Sequence, residues 1–231
     1  MEIQARQLQG ILDWAVANCE LIPAVPKQDL QETDPKAARE VLGDAFFDTL
    51  LAANGSARIL LSDDQHLRAL ARQSFGVDAV WTQPLLMELR AKGELTPEAY
   101  VESLAVLIQS KYSFSSVNAA DMIVAARIDN WNTGPKFQLL ASTLSARSVQ
   151  LSSLITLSVE FLRSIWQMVP STISSFAARK LTFALLEHIA PHKSEHVDAF
   201  YSRVMKLVPQ EAGIAIHAWY EAHLVLRPGT R

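Results

Sequence analysis

Between Arg58 and Pro97 the chain alternates short apolar runs with helix-length segments, and this alternation constrains its fold more than any other feature. Arg58-Ile59-Leu60-Leu61-Ser62 reads as a strand, and Asp64 to Gln73 as a helix closed near Gly76. Val77 to Trp81 is a second extended run, Thr82 caps a helix that ends at Gly93, and Thr96-Pro97 opens another. Strand–helix–strand–helix with short connections predicts a parallel sheet flanked by helices. Tyr112 to Val117 is a candidate last strand. Beyond it Asn118 and Asp121 take N-cap and N3 spacing, and residues 119–231 read as entirely helical. Pro135, Pro170, Pro191, Pro209 and Pro228 punctuate that stretch without a fixed repeat period. The expected fold is therefore a partial α/β region over 1–117 followed by an all-α region over 118–231, helix-dominated overall.

Upstream, Leu8, Ile11, Leu12, Ala15 and Val16 recur at helical spacing and predict a helix over Gln7 to Asn18. Glu20-Leu21-Ile22-Pro23 is a short extended run, and a polar loop continues through Thr33. Asp34-Pro35 is a helix start and Asn54-Gly55 a stop, which predicts one helix of about five turns between them. The lone Cys19 excludes an internal disulfide framework and a multi-cysteine zinc site. The most apolar stretch, Leu151 to Val169, is broken by Glu160, Arg163 and several serines, so membrane spanning is not expected. Met1-Glu2-Ile3-Gln4 lacks the basic start and apolar run of a secretory signal, and a cytoplasmic location is expected. Residues 1–120 hold 10 Lys/Arg against 16 Asp/Glu, residues 121–231 hold 11 against 8, and neither set forms a basic stripe of the nucleic-acid-binding kind.

Carboxylates carry the chemical signal. At 100° steps Glu40, Asp44 and Asp48 fall on one narrow stripe of a helix otherwise lined by Val41, Leu42, Ala45, Phe46, Phe47, Leu50 and Leu51. Like charges at i and i+4 repel even in water, and more so in partly dry surroundings. A solvated edge on a core helix is the alternative reading. Ser62-Asp63-Asp64 follows a strand directly, where parallel sheets collect ligands. Facing the acidic stripe, Asp63 and Asp64 would complete an oxygen site for Mg²⁺ or Mn²⁺, while taken alone Asp63 or Ser62 would serve as a helix cap.

The run from Asp44 through Gly55, then Ile59 to Asp64, Leu67-Arg68 and Leu70-Ala71, resembles the C-terminal half of a PIN domain. Gly76-Val77, Trp81-Thr82-Gln83, Leu85-Leu86 and Gly93 fit the end of such domains. The resemblance covers roughly residues 10–117. It implies a metal-dependent nuclease, many of the family being ribonucleases, with Mg or Mn held by carboxylates. Asp44 best matches the family's helix Asp, because Gly55 falls eleven residues on, with Asp48 the alternative. Asp64 best fits the strand-end position and Asp63 sits beside it. Asp44, Asp63 and Asp64 are thus the candidate catalytic residues, and these with Asp48 the candidate metal ligands. PIN domains also use an Asp ending their first strand and a Glu on an early helix. No apolar strand ending in Asp precedes Asp44, and Asp13 lies within the first helix. Glu40 is a partial substitute. The expectation is a domain lacking its first strand, a poor nuclease or none, whose open sheet edges await another polypeptide or a symmetry mate.

His188, His192 and His196 have i, i+4, i+8 spacing, but Pro191 interrupts them, so a polar junction is the expected role. His66 reads as an exposed helix residue and Cys19 as a small buried hydrophobe, while Trp131, Trp166 and Trp219 read as packing residues. Two functions follow as expectations. One is a Mg- or Mn-dependent nuclease acting on RNA; the other is a non-catalytic helical interaction module carrying a PIN remnant. In either case the helical region is expected to dock on a protein partner, on the α/β part or on another copy of the chain.

Overall fold

The structure, a computed structural model, describes residues 2–20, 22, 35–54, 58–112, 115–146, 148–169 and 171–225. It divides into two compact units, Met1–Leu85 and Leu86–Arg231. Among the described residues the last strand ends at Val80, and the division by compactness falls inside the helix that follows it.

The first unit opens with α1 (Glu2–Asn18), whose Ile11, Leu12, Trp14 and Val16 remain exposed. The single helix expected from Pro35 to Asn54 is two: α2 (Pro35–Leu42) and α3 (Asp44–Ala53). The break is Gly43, at φ 79°, a conformation that side chains with a Cβ rarely adopt. Then come β1 (Leu60–Leu61), α4 (Gln65–Phe75) and β2 (Ala79–Val80). The strands pair in parallel, Leu60 against Ala79 and Leu61 against Val80. Phe47, Leu50 and Leu51 of α3 meet Leu60, Leu67, Ala71, Phe75 and Val77 in a small core, with Phe47 and Phe75 edge to face at 6.1 Å. The expected strand at Tyr112 to Val117 pairs with no other strand among the described residues; Phe114 lies outside them. Asp34, Gly55 and the loop through Thr33 also lie outside.

The second unit is helical: α5 (Thr82–Ala91), on which the division falls, α6 (Pro97–Gln109), α7 (Ala119–Ile128), α8 (Pro135–Ser142), α9 (Leu151–Gln167), α10 (Ser175–Ile189), α11 (Ser194–Val204) and α12 (Gln210–Tyr220). Its caps follow the sequence. Thr96 accepts from the Ala99 N–H, and Asn118 with Asp121 closes a reciprocal capping box. Gly134, before α8, approaches Asp129 so closely that an added Cβ would lie 2.5 Å from its Cγ. Asp129 in turn accepts the Phe137 N–H at 2.8 Å, which caps α8 from the preceding turn. Tyr100, Leu104, Met122, Phe137, Leu140, Phe161, Leu162, Leu181 and Phe200 are fully buried in one continuous core.

Asp121 is 0% exposed, and Arg90 meets it at 2.7 Å while its guanidinium lies over the Tyr100 ring. Removing one partner of a buried ion pair leaves the other charge uncompensated, at a cost of about 3–5 kcal/mol. Arg90→Ala should therefore lower the stability of the helical unit by roughly that amount, measured by urea unfolding. For the same reason residues 86–231 should unfold cooperatively alone, whereas residues 118–231, lacking Arg90, Tyr100 and Leu104, should melt at lower temperature and bind a hydrophobic dye.

Candidate functional site

The four candidate carboxylates of the first unit, Asp44, Asp48, Asp63 and Asp64, are each engaged by protein groups. Arg39, near the end of α2, reaches over the Gly43 corner to α3, donating to Asp44 at 3.0 Å and Asp48 at 2.9 Å. The same guanidinium lies 4.8 Å from the centre of the Phe47 ring, so the core side of α3 fixes its position. The corner displaces Glu40 from the helix that carries Asp44 and Asp48. The continuous three-carboxylate stripe therefore does not form, and Glu40 is exposed on a separate helix.

At the carboxyl end of β1, Asp63 accepts from both the backbone N–H and the hydroxyl of Thr82, each at 2.8 Å. This ties the end of β1 to the start of α5. Asp64 turns the other way and is the N-cap of α4, its Oδ1 accepting from His66 at 2.8 Å and Leu67 at 3.1 Å. Those two backbone N–H groups hold the Asp64 carboxyl below its ordinary value. Ser62 contributes its hydroxyl to the Asp64 N–H and its carbonyl to Arg68, whose guanidinium lies over Trp81 at 4.8 Å. The cap of α4 is thus Asp64, not Asp63 or Ser62 as the sequence suggested. A basic side chain also sits at the strand end where a ligand would gather.

A two-metal phosphodiester site needs several carboxylate oxygens turned toward one point. Here two carboxylates share one arginine, one binds a threonine and one caps a helix. Among the described residues no group of three or more His, Cys, Asp or Glu side chains is placed to hold a metal ion. As arranged, Asp44, Asp48, Asp63 and Asp64 do not fit the Mg or Mn cage that the PIN resemblance implies.

The histidine series is divided by the α10–α11 corner. His188 Nε2 faces the Gln138 amide oxygen at 2.9 Å and its Nδ1 lies 3.3 Å from the Ser145 hydroxyl; His192 reaches the Leu144 carbonyl at 2.7 Å. His196 is exposed on α11. The series therefore joins helices rather than gathering round an ion. His66 and Cys19 are both exposed, the latter against expectation. Trp166 and Trp219 donate to Thr182 and Glu187, and Trp131 packs on the core.

Sequence reasoning missed a polar aromatic cluster near the C-terminal end. Tyr201 and Tyr220 stack at 4.2 Å, and Tyr201 contacts His217 Nδ1 at 2.7 Å. Tyr220 donates to Asp198, which pushes its hydroxyl up to about 12. The i, i+4 spacing of His217 and Glu221 was the available signal.

Burial lowers the pKa of His188 below 6.5, with Glu187 opposing. The folded protein therefore favours neutral His188, whose contribution is complete above pH 6.5 and is lost as pH falls through its own lower value. Thermal melts between pH 7.5 and 5 should show this decline, and His188→Gln should flatten that part of the profile.

Comparison with known proteins bears on the first unit. A family model described as a PIN domain associated with the TPR-GreAB-C-PIN system matches residues 2–73, less than half of the chain. No curated protein and no solved structure matches. The matched segment runs from α1 through α3 and β1 into α4, and this part of the chain carries a PIN-related domain.

Proposed function

We propose that the PIN-related unit is a non-catalytic interaction domain, joined to a helical module that also binds protein. The carrying observation is the engagement of all four candidate carboxylates by Arg39, Thr82 and the α4 N-terminus. A carboxylate that already accepts from a guanidinium, a hydroxyl or a helix N-terminus offers less negative charge and fewer lone pairs to a cation, and its orientation is set by that partner. The helical unit supports the same reading. Phe176 and Ile214 are exposed beside Trp166, Arg179 and Glu211, a mixture of aromatic, aliphatic and charged side chains characteristic of protein contact surfaces.

The family match favours a second reading, a Mg- or Mn-dependent ribonuclease using Asp44, Asp63 and Asp64 with Asp48 in support. In that reading the cation shares Asp44 and Asp48 with Arg39 and Asp63 with Thr82. The two are separated by incubating the full chain with single-stranded RNA and Mn²⁺ beside an Asp64→Asn variant. Asparagine is itself a good N-cap, so this substitution tests the charge while preserving the start of α4. We expect no metal-dependent cleavage from either protein, and no rise in melting temperature at millimolar Mn²⁺. Cleavage by the unmodified chain that Asp64→Asn abolishes would establish the nuclease instead.

A further inference from the structure

The sheet of the first unit is anomalous in its size. Parallel strands are ordinarily buried on both faces, and two strands alone are too few for independent stability. Here α3 and α4 cover one face, where Leu60 is 4% exposed. On the other face Ile59 and Leu61 are 64% and 55% exposed.

The ladder also shows which backbone groups face outward. Leu60 donates to the Asp78 carbonyl and Ser62 to that of Val80, both at 2.9 Å. By the alternation of a strand, the N–H and C=O groups of Ile59 and Leu61 point to the opposite edge of β1. Among the described residues no strand lies there. Natural edge strands are blunted by short length, charged side chains, proline or a bulge. β1 is short, but from Ile59 to Ser62 it has no proline and no charge, and its pairing with β2 has no bulge.

The charges flanking β1 say what pairs with it. Arg58 precedes the apolar residues and Asp63-Asp64 follows them. A second β1 in parallel register would set arginine beside arginine and aspartate beside aspartate. A second β1 running antiparallel sets unlike charges opposite each other, the arrangement that stabilises cross-strand pairs. Two-fold symmetry across an edge demands that direction, and keeping both helix-covered faces on one side demands an even register. The outward-pointing residues then place the axis at Leu61.

We propose that β1 pairs antiparallel with β1 of a second copy of this chain. Leu61 exchanges backbone hydrogen bonds with its equivalent, and Arg58 of each copy faces Asp64 of the other. Arg58 now donates to the Ala52 carbonyl at 2.8 Å on an exposed surface, so the new partner costs it little. The α4 cap uses only Oδ1 of Asp64, so the pairing leaves the helix start intact. The result is a continuous four-stranded sheet with Ile59 and Leu61 gathered into one strip across its open face. This inference goes beyond the interaction-domain reading and holds whether or not the unit cleaves RNA.

Sedimentation equilibrium of the full chain, from micromolar to several hundred micromolar, tests it. The expected result is a reversible dimer whose dissociation constant rises about tenfold or more in Leu61→Lys. Because Leu61 is exposed, that variant should keep the parent circular-dichroism spectrum. A Cys19→Ser/Leu61→Cys protein reads the register directly. Hydrogen-bonded antiparallel partners have Cα atoms about 5.5 Å apart, within disulfide range, so mild oxidation should give a covalent dimer. A monomer throughout the series, or failure of the Leu61→Cys protein to cross-link, overturns the proposal. So does a dimer that Leu61→Lys leaves unchanged and Phe176→Asp/Ile214→Asp dissolves, which would assign association to the helical unit.

Discussion

One carboxylate organises the start of the helical unit. Asp121 is wholly removed from water, yet it accepts from Arg90 and from the backbone N–H of Asn118, while the Asn118 side-chain oxygen accepts from the Asp121 backbone N–H. Three elements depend on it. The start of α7 is fixed by the reciprocal cap, α5 is anchored through Arg90, and Tyr100 of α6 lies under the same guanidinium. A buried ion pair adds little net stability against a well-packed apolar substitute. What it supplies is register, because the capping geometry and the guanidinium contact are satisfied together in one arrangement of these helices.

The first unit spends its carboxylates differently. Four of its acidic residues each hold one short element to the next: Asp44 and Asp48 to α2 through Arg39, Asp63 to α5, Asp64 to α4. Among the described residues its core holds eight buried apolar side chains, and such ties add to what that packing supplies. These are the same four carboxylates that the PIN resemblance marks as candidate metal ligands.

Local signals were legible in the sequence. Thr96-Pro97, the Asn118/Asp121 box and the stops at Gly76 and Gly93 each act over a few residues and appear where expected. The helix-dominated character with a small parallel sheet was likewise readable from the alternation of segments. Gly43 was not, because apolar residues continue at helical spacing on both sides of it and one glycine is tolerated inside many helices. The site failed to be legible for another reason. The positions of Asp44, Asp48, Asp63 and Asp64 were apparent, but their partners lie five, nine, nineteen and two or three residues away, and only the last is a local motif. Asp121 was legible as a cap residue, but its pairing with Arg90, thirty-one residues away, has no local signal.

The Gly43 corner has a mechanical consequence. The glycine removes the steric stiffness that would otherwise fix the angle between α2 and α3, and Arg39 replaces it with two exposed ion pairs. Exposed pairs of this kind contribute about 0–1 kcal/mol each and weaken over a screening length of about 8 Å at physiological ionic strength. Packing of Leu42 on the small core is the other contact that sets the angle between the two helices, and it does not respond to salt. Concentrated electrolyte should therefore loosen the outer side of the corner, where Arg39 lies, and leave the Leu42 side in place.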